Sequence, residues 1–389
     1  MNNYLNKICL ELLNVVQIKS EDVFSDCVVY GKNFQKLKIE AKKQGLNFFE
    51  YPFINAIGVN LSQKQIVQFA KTSIVGFIAK QTRVSTQIDV AKKILNIESL
   101  VDNGCTGKNV TIAFIDTGIN PHLDFCVPKN RILKFVDLVN HKKNFYDDNG
   151  HGTFVTSIAC GSGLVSVGKY SGVSPKSDIV SIKALEENGE TGAYKILEAM
   201  QWISDNYEKF GIKVVCMSFG SNPIGKNDPL VVGAESLWNM GLVVVAAAGN
   251  SGPENYTIKS PGYSSKIITV GGFDDKREPN GEFDRNKFEI AKFSSRGPAG
   301  MFFKPDLIAP AVNIKGATFN KQTKEFYVKM SGTSVATPII AGICALIISK
   351  NPNITPDRLK IKLVNNCYKL TKNRNEEGFG VPNLSGFFN

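Results

Sequence analysis

Residues 110–118 read VTIAFIDTG. A near-continuous apolar run that breaks at Asp116, Thr117 and Gly118 is the pattern of a strand buried on both faces and ending in a turn. Short apolar runs recur downstream, at 178–182 (DIVSI), 214–217 (VVCM), 242–247 (LVVVAA) and 267–270 (IITV). Amphipathic segments such as 194–206 and 229–240 lie between them. Buried strands alternating with helices predict an α/β domain, a doubly wound parallel sheet with helices on both faces. In such sheets, sites form in loops beyond the carboxyl ends of strands, and Asp116 and Asn250 both fall just after such an end.

The pattern upstream is different. Residues 55–62 (NAIGVNLS) put Ile57, Val59 and Leu61 on one side, a strand. Ser62 with Gln65 then has the spacing of a capping box, and the helix it opens carries Ile66, Phe69 and Ala70 on one face. A second strand follows at 73–79 (SIVGFIA). The expectation is a small α+β domain over 1–85, read as a β-α-β unit with a weaker element before it. Residues 86–103 read as a linker and first helix, and 104–389 as the main domain.

A chain of 389 residues, 43% hydrophobic, can bury one large core and one small one. The formal charge of +11 is spread along the sequence without a run of five like charges. It reads as a solvated basic surface rather than a nucleic-acid footprint. Lys7, Glu11 and Asn14 interrupt the apolar residues near the N-terminus, so no secretory signal is legible, and no stretch reaches the roughly 18 uninterrupted apolar residues of a membrane span. The expected location is cytoplasmic, or export by a route the sequence does not display. Eight cysteines lack metal-like CxxC spacing, and Cys160, Cys216 and Cys344 sit among apolar or small residues. They fit buried thiols in a reducing compartment.

Four residues carry the chemistry. Asp116 taken alone is good turn material. His151 lies in DDNGHGTFVTSIA, and the chain has only two other histidines, His122 and His141. Ser334 lies in MSGTSVATPIIAGICALII, where a serine before an apolar helix is commonly an N-cap. A nucleophile there also gains from the positive helix end. Asn250, in VVVAAAGNSGP, is either a turn residue or a side-chain donor to an oxyanion. Together they match a chemical requirement. A serine hydroxyl needs an imidazole to take its proton, a carboxylate to orient that imidazole, and a preformed donor for the tetrahedral oxygen.

The segments IAFIDTG, NGHGTFV, AAAGNSGP and MSGTSVATP, supported by MSFGS (217–221), FSSRGP (293–298) and KPDLIAP (304–310), resemble the subtilisin-like serine proteases over about residues 104–384. The resemblance implies a subtilisin-like fold and a serine endopeptidase acting through an acyl-enzyme. Asp116, His151 and Ser334 would be the triad and Asn250 the oxyanion donor. Ser218, Phe219, Gly220, Ala247, Ala248 and Gly249 would line the substrate cleft. It also implies a cis peptide before Pro261, in IKSPGYS, and a propeptide-like role for residues 1–85 as chaperone and inhibitor. The chain would then be a zymogen cutting itself between Lys80 and Lys93. Expected partners are a peptide or protein substrate and the chain's own N-terminal domain, with no nucleic acid, membrane, cofactor or metal. Two departures stand out. Phe154 replaces a second His found in many members, with altered packing expected. The loop GSGLVSVGKYSG (161–172) has no carboxylate or Asn that could help bind the calcium many secreted members hold there. The rival reading is a catalytically silent subtilase-fold protein that binds or signals, but no triad residue is substituted. A nucleotide-binding doubly wound protein is disfavoured because the glycines at 161–163 make no GxGxxG turn after a strand.

Overall fold

A computed structural model of the chain describes residues 4–9, 12–13, 24–80, 87–225, 227–278, 282–318 and 325–388. The chain divides into two compact units, Met1–Val84 and Ser85–Asn389.

The first unit is built from β1 (Phe24–Gly31), α1 (Phe34–Lys43), β2 (Phe48–Tyr51), β3 (Ala56–Ser62), α2 (Gln63–Lys71) and β4 (Val75–Lys80). The capping box forms: Gln65 N–H donates to Ser62 Oγ, and Ser62 N–H donates to Gln65 Oε1 at 2.9 Å. The strand order is β2-β3-β1-β4, with β1 antiparallel to both β3 and β4. This corrects the β-α-β reading, because β3 and β4 are not neighbours and β1 lies between them. Strand β1, SDCVVYG after Phe24, carries too little alternation for its pairing to be visible locally. Cys27, Val29, Ile57, Val59, Leu61 and Ile78 face Leu37, Ala41, Ile66, Phe69 and Ala70 of the two helices. The opposite face is also apolar. Val28 pairs with Gly58 and Ala79, Tyr30 with Ala56 and Phe77, and Phe49 and Tyr51 pair with Gly58 and Ala56. No described element of this unit covers that face, and Phe49 is 75% exposed.

The second unit opens with α3 (Gln87–Leu95) and α4 (Glu98–Asp102), divided at Asn96, whose φ of 54° breaks the helical run. Both pack into the unit's core through Val90, Ile94, Leu95 and Leu100. There follow β5 (Thr111–Asp116), α5 (Leu123–Cys126), β6 (Ile132–Asp137), α6 (His151–Cys160), β7 (Asp178–Lys183), α7 (Ala193–Asn206), β8 (Ile212–Met217), α8 (Pro229–Asn239), β9 (Val243–Ala247), β10 (Ile268–Asp274), β11 (Glu289–Ile290), β12 (Leu307–Pro310), β13 (Ile314–Ala317), β14 (Tyr327–Met330) and α9 (Thr333–Lys350). The main sheet runs β11-β10-β9-β8-β5-β7-β6, with β12 also on β10. Its pairings are parallel except β10 with β11. This is the expected doubly wound, largely parallel sheet. Strand β6 escaped the sequence reading because Lys134, exposed at the sheet edge, splits its short apolar run. Helix α9 is long and apolar enough to cross a membrane by length and composition alone. Its apolar circumference is accounted for by burial against α6, β8, β9 and β10.

Phe154 is fully buried and packs on β13, where a Cβ on Gly316 would lie 2.8 Å from its ring. The loop 161–172 is tied down by Asp124 of α5. One carboxylate oxygen accepts from Val165 N–H (3.0 Å), the other from the Tyr327 hydroxyl (2.6 Å), and Asp124 O accepts from Ser162 N–H (3.1 Å). Donors from the loop and β14 thus satisfy a carboxylate that would otherwise need a cation. Tyr327→Phe should therefore cost about 1–3 kcal/mol, a fall in Tm of about 2–6 °C, while EDTA leaves the parent's Tm unchanged. Thermal melts followed by circular dichroism check both; a drop in EDTA reversed by calcium would reveal an ion site instead.

Candidate active site

Asp116 is the last residue of β5 and is buried. Its Oδ1 accepts from Thr117 N–H (2.8 Å) and lies 2.8 Å from His151 Nδ1. His151 is the first residue of α6, with Gly150 as N-cap in the left-handed region (φ 95°). Gly152 lets the helix start press against the β5 turn, since a Cβ there would fall 2.2 Å from Gly118 O and 3.2 Å from Asp116 Cβ. Any larger residue would push the imidazole off the carboxylate.

A buried network locks this juxtaposition. Asp147 Oδ1 accepts from the Thr117 hydroxyl (2.8 Å) and Gly150 N–H (2.7 Å), and its Oδ2 accepts from Thr153 N–H (2.8 Å) and hydroxyl (2.6 Å). Thr117 Oγ1 in turn accepts from Gly152 N–H at 2.9 Å. Lys183, buried at the end of β7, donates to Thr117 O (2.8 Å), Leu185 O (2.9 Å) and Asp148 Oδ1 (2.6 Å). Its ammonium thereby joins the ends of β5 and β7 to the loop that carries His151. Burial alone would lower the imidazole's pKa. The charge of Asp116, the hydrogen bond to it and the charge of Asp147 outweigh burial and raise it above the ordinary value.

Ser334 is the second residue of α9, after an N-cap at Gly332. It is therefore not the cap, and its hydroxyl makes no hydrogen bond among the described residues, to His151 Nε2 or to any other group. Such bonds are commonly long before substrate arrives. Helices α6 and α9 pack on each other. Asn250 lies in the turn after β9. Its Oδ1 accepts from Thr333 N–H (2.9 Å) and the Thr333 hydroxyl (3.0 Å), which fixes the amide so that Nδ2 is left to point outward. Ser334 Oγ and Asn250 Nδ2 converge: a Cβ on Gly332 would lie 3.0 Å from the first and 3.3 Å from the second. The structure thus brings Asp116 to His151, and Asn250 to Ser334.

The six residues read as cleft lining stand on two edges. Ser218, Phe219 and Gly220 follow the carboxyl end of β8, while Ala247, Ala248 and Gly249 finish β9 and lead into Asn250. The Ser260–Pro261 peptide is cis, as the resemblance implied. Among the described residues, no three His, Cys, Asp or Glu side chains gather as a metal cage. The sequence reading missed Thr117, Asp147, Lys183 and Thr333. Three of these lie within the quoted segments, beside or a few residues from a residue singled out. Lys183 had no signal, since a lysine ending a strand ordinarily reads as solvated.

The subtilase family model matches residues 107–382. The chain belongs to the subtilase family. It is a subtilisin-like serine endopeptidase. The chain is 41% identical over 307 residues to the serine protease AprX of Bacillus subtilis (strain 168), covering 74% of this chain and 68% of that one. It is 28% identical over 342 residues to a thermostable alkaline protease of Halalkalibacterium halodurans, covering 87% and 81%. Among solved structures, this subtilase is similar to Sphericase, with a TM-score of 0.64, 26% identity, and coverage of 78% of this chain and all of that one.

A raised imidazole pKa means that the stability His151 contributes is full below its unfolded value and is lost as pH rises through the folded value. Asp116→Asn should move the His151 ring titration to lower pH. Proton NMR of the three histidine rings checks this, with His151→Ala assigning the signal; an unmoved midpoint would mean Asp116 does not set the imidazole's charge.

Proposed function

We propose that Ser334, His151 and Asp116 act as the catalytic triad of this endopeptidase, with Asn250 as oxyanion donor, and that residues 1–85 serve as a self-processed inhibitor. The 2.8 Å contact of His151 Nδ1 with the buried Asp116 carboxylate carries the triad reading, because it leaves Nε2 as the basic nitrogen. Ser334 Oγ attacks the carbonyl carbon of the peptide and its proton passes to His151 Nε2. Asp116 stabilises the resulting imidazolium through Nδ1–H. The carbonyl oxygen, now negative, receives a hydrogen bond from Asn250 Nδ2, oriented by Thr333. As the intermediate collapses, the C–N bond breaks and His151 returns its proton to the departing amine, leaving an ester on Ser334. Water then gives a proton to His151 and attacks the ester, and Ser334 leaves with that proton.

The inhibitor reading is supported by the first unit's own sheet. A face bearing Val28, Tyr30, Phe49, Tyr51 and Phe77 that no described element of its unit covers is a surface made for a protein partner. Strand β4 also leads straight into the expected cleavage segment between Lys80 and Lys93, of which 81–86 lie outside the described residues. An extended peptide delivered by a tethered strand can be held as bound product. A cytoplasmic site of action is proposed as well, supported by the thiols of Cys160, Cys216 and Cys344, all buried and unpaired.

Ser334→Ala should reduce peptide hydrolysis by about 10⁶-fold with the fold intact, and Asn250→Ala should lower kcat by about 10²–10³-fold with little change in KM. Steady-state kinetics on a fluorogenic peptide measure both; an alanine variant of Ser334 within tenfold of the parent would refute the triad. Mass spectrometry of purified protein should find the parent cut between Lys80 and Lys93 and the Ser334→Ala chain whole. Residues 1–80 added back should inhibit. A parent that stays uncut and fully active, insensitive to the added fragment, would make the first unit an accessory domain.

A further inference from the structure

Lys259 occupies the ground between the two edges of the cleft. Its N–H donates to Ala248 O at 2.9 Å, and Ser260 exchanges both backbone hydrogen bonds with Ser221, at 3.0 and 2.9 Å. The segment therefore bridges the edge that follows β8 and the edge that follows β9. The lysine stem lies against both: a Cβ on Gly220 would fall 2.6 Å from Lys259 Cβ, and one on Gly249 would fall 2.4 Å from Lys259 Cγ. These two glycines are thus required by the stem, which fills the space their side chains would take. The ammonium reaches Asn222 Oδ1 at 2.5 Å. Lys259 is half-buried, and among the described residues its ammonium forms no ion pair.

The position of this cation relative to the chemistry follows from covalent geometry. The attacked carbonyl must lie between Ser334 Oγ and Asn250 Nδ2. Asn250 directly follows Gly249, against which the Lys259 stem packs. The amino acid that supplies the attacked carbonyl has its Cα one bond from the reacting carbon, which brings its side chain within reach of Gly249 and the Lys259 stem packed on it. An ammonium whose described partner is a neutral amide, at the exposed end of a partly buried stem, gains a charge-assisted bond from a carboxylate brought beside it. It also repels a substrate lysine or arginine.

We propose that Lys259 is a specificity-determining residue that selects an acidic side chain at the substrate residue whose carbonyl Ser334 attacks. The proposal rests on the peptidase reading above and deepens it by naming a substrate class. The chain's overall +11 charge would favour acidic peptides in general, but not at one position.

The test uses the full-length protein and fluorogenic peptides identical except for Glu, Gln, Leu or Lys at the residue before the scissile bond. A further peptide carries its Glu four residues upstream. The parent should show kcat/KM about five- to tenfold higher for Glu than for isosteric Gln, with Lys poorest, and no such gain from the distant Glu. Lys259→Arg should keep the Glu-to-Gln ratio, Lys259→Met should bring it near one, and Lys259→Glu should invert the order of the Glu and Lys peptides. Circular dichroism melts and fluorophosphonate labelling of Ser334 show that each variant is folded. A ratio near one in the parent, or a ratio retained in Lys259→Met, overturns the assignment and would mean that the ammonium turns out to solvent. If no peptide is cut and Ser334 takes no label, the peptidase reading has failed and this one with it. If Leu is cut and Ser334 is labelled while Glu and Gln are equal, only the role of Lys259 has failed.

Discussion

The hydrogen bond between His151 and the carboxylate at the end of β5 is the contact around which the second unit is arranged. A carboxylate buried at a strand end is costly unless its charge is met, and here it is met by an imidazole from a different element. Everything that fixes the start of α6 against the β5 turn contributes to that pairing. Gly152 permits the approach, Asp147 gathers four donors from Thr117, Gly150 and Thr153, and Lys183 holds the turn from β7. A loop could sample many positions, but one anchored through a buried carboxylate and a buried ammonium is held to few.

The other half of the site depends on a helix start. Helix α9 runs through the core, so its position is set by apolar packing along its whole length rather than by anything near Ser334. That packing delivers Thr333 and Ser334 to the end of the sheet. Thr333 then ties the Asn250 amide to the helix terminus, so the proposed nucleophile and oxyanion donor are held together. Rigid placement of donors before substrate binds is where electrostatic catalysis gets its advantage, since little reorganisation remains to be done in the transition state.

Buried cations recur as fasteners. Lys304, in the KPDLIAP segment, reaches Asp306 Oδ2 (2.6 Å), Thr269 Oγ1 (2.8 Å) and Ile267 O (3.2 Å), and burial pulls its pKa down to about 8 against the attraction of Asp306. Lys360 meets the same carboxylate at 2.9 Å. Lys259 differs: its stem is partly buried and its ammonium is hydrogen-bonded to a neutral amide. Lys183, Lys304 and Lys360 each meet a carboxylate, and the role proposed for Lys259 rests on its lacking one among the described residues.

The sequence by itself determined five central strands of the main sheet (β5, β7, β8, β9 and β10), the order of Asp116, His151, Asn250 and Ser334, and the capping box at Ser62. Each of these is written in local chemistry: a run of apolar residues, a turn dipeptide, a three-residue spacing. It did not display β1, because whether a strand enters between two others depends on partners distant along the chain, from Tyr30 with Ala56 to Cys27 with Lys80. It was equally silent on Lys183 and Lys259, since a lysine's identity says nothing about whether its stem will be enclosed. Their roles arise where segments remote in sequence meet: Thr117 with Lys183, and Gly220 and Gly249 with Lys259. The tertiary structure decided these because burial and pairing belong to the packed chain, not to any stretch of it.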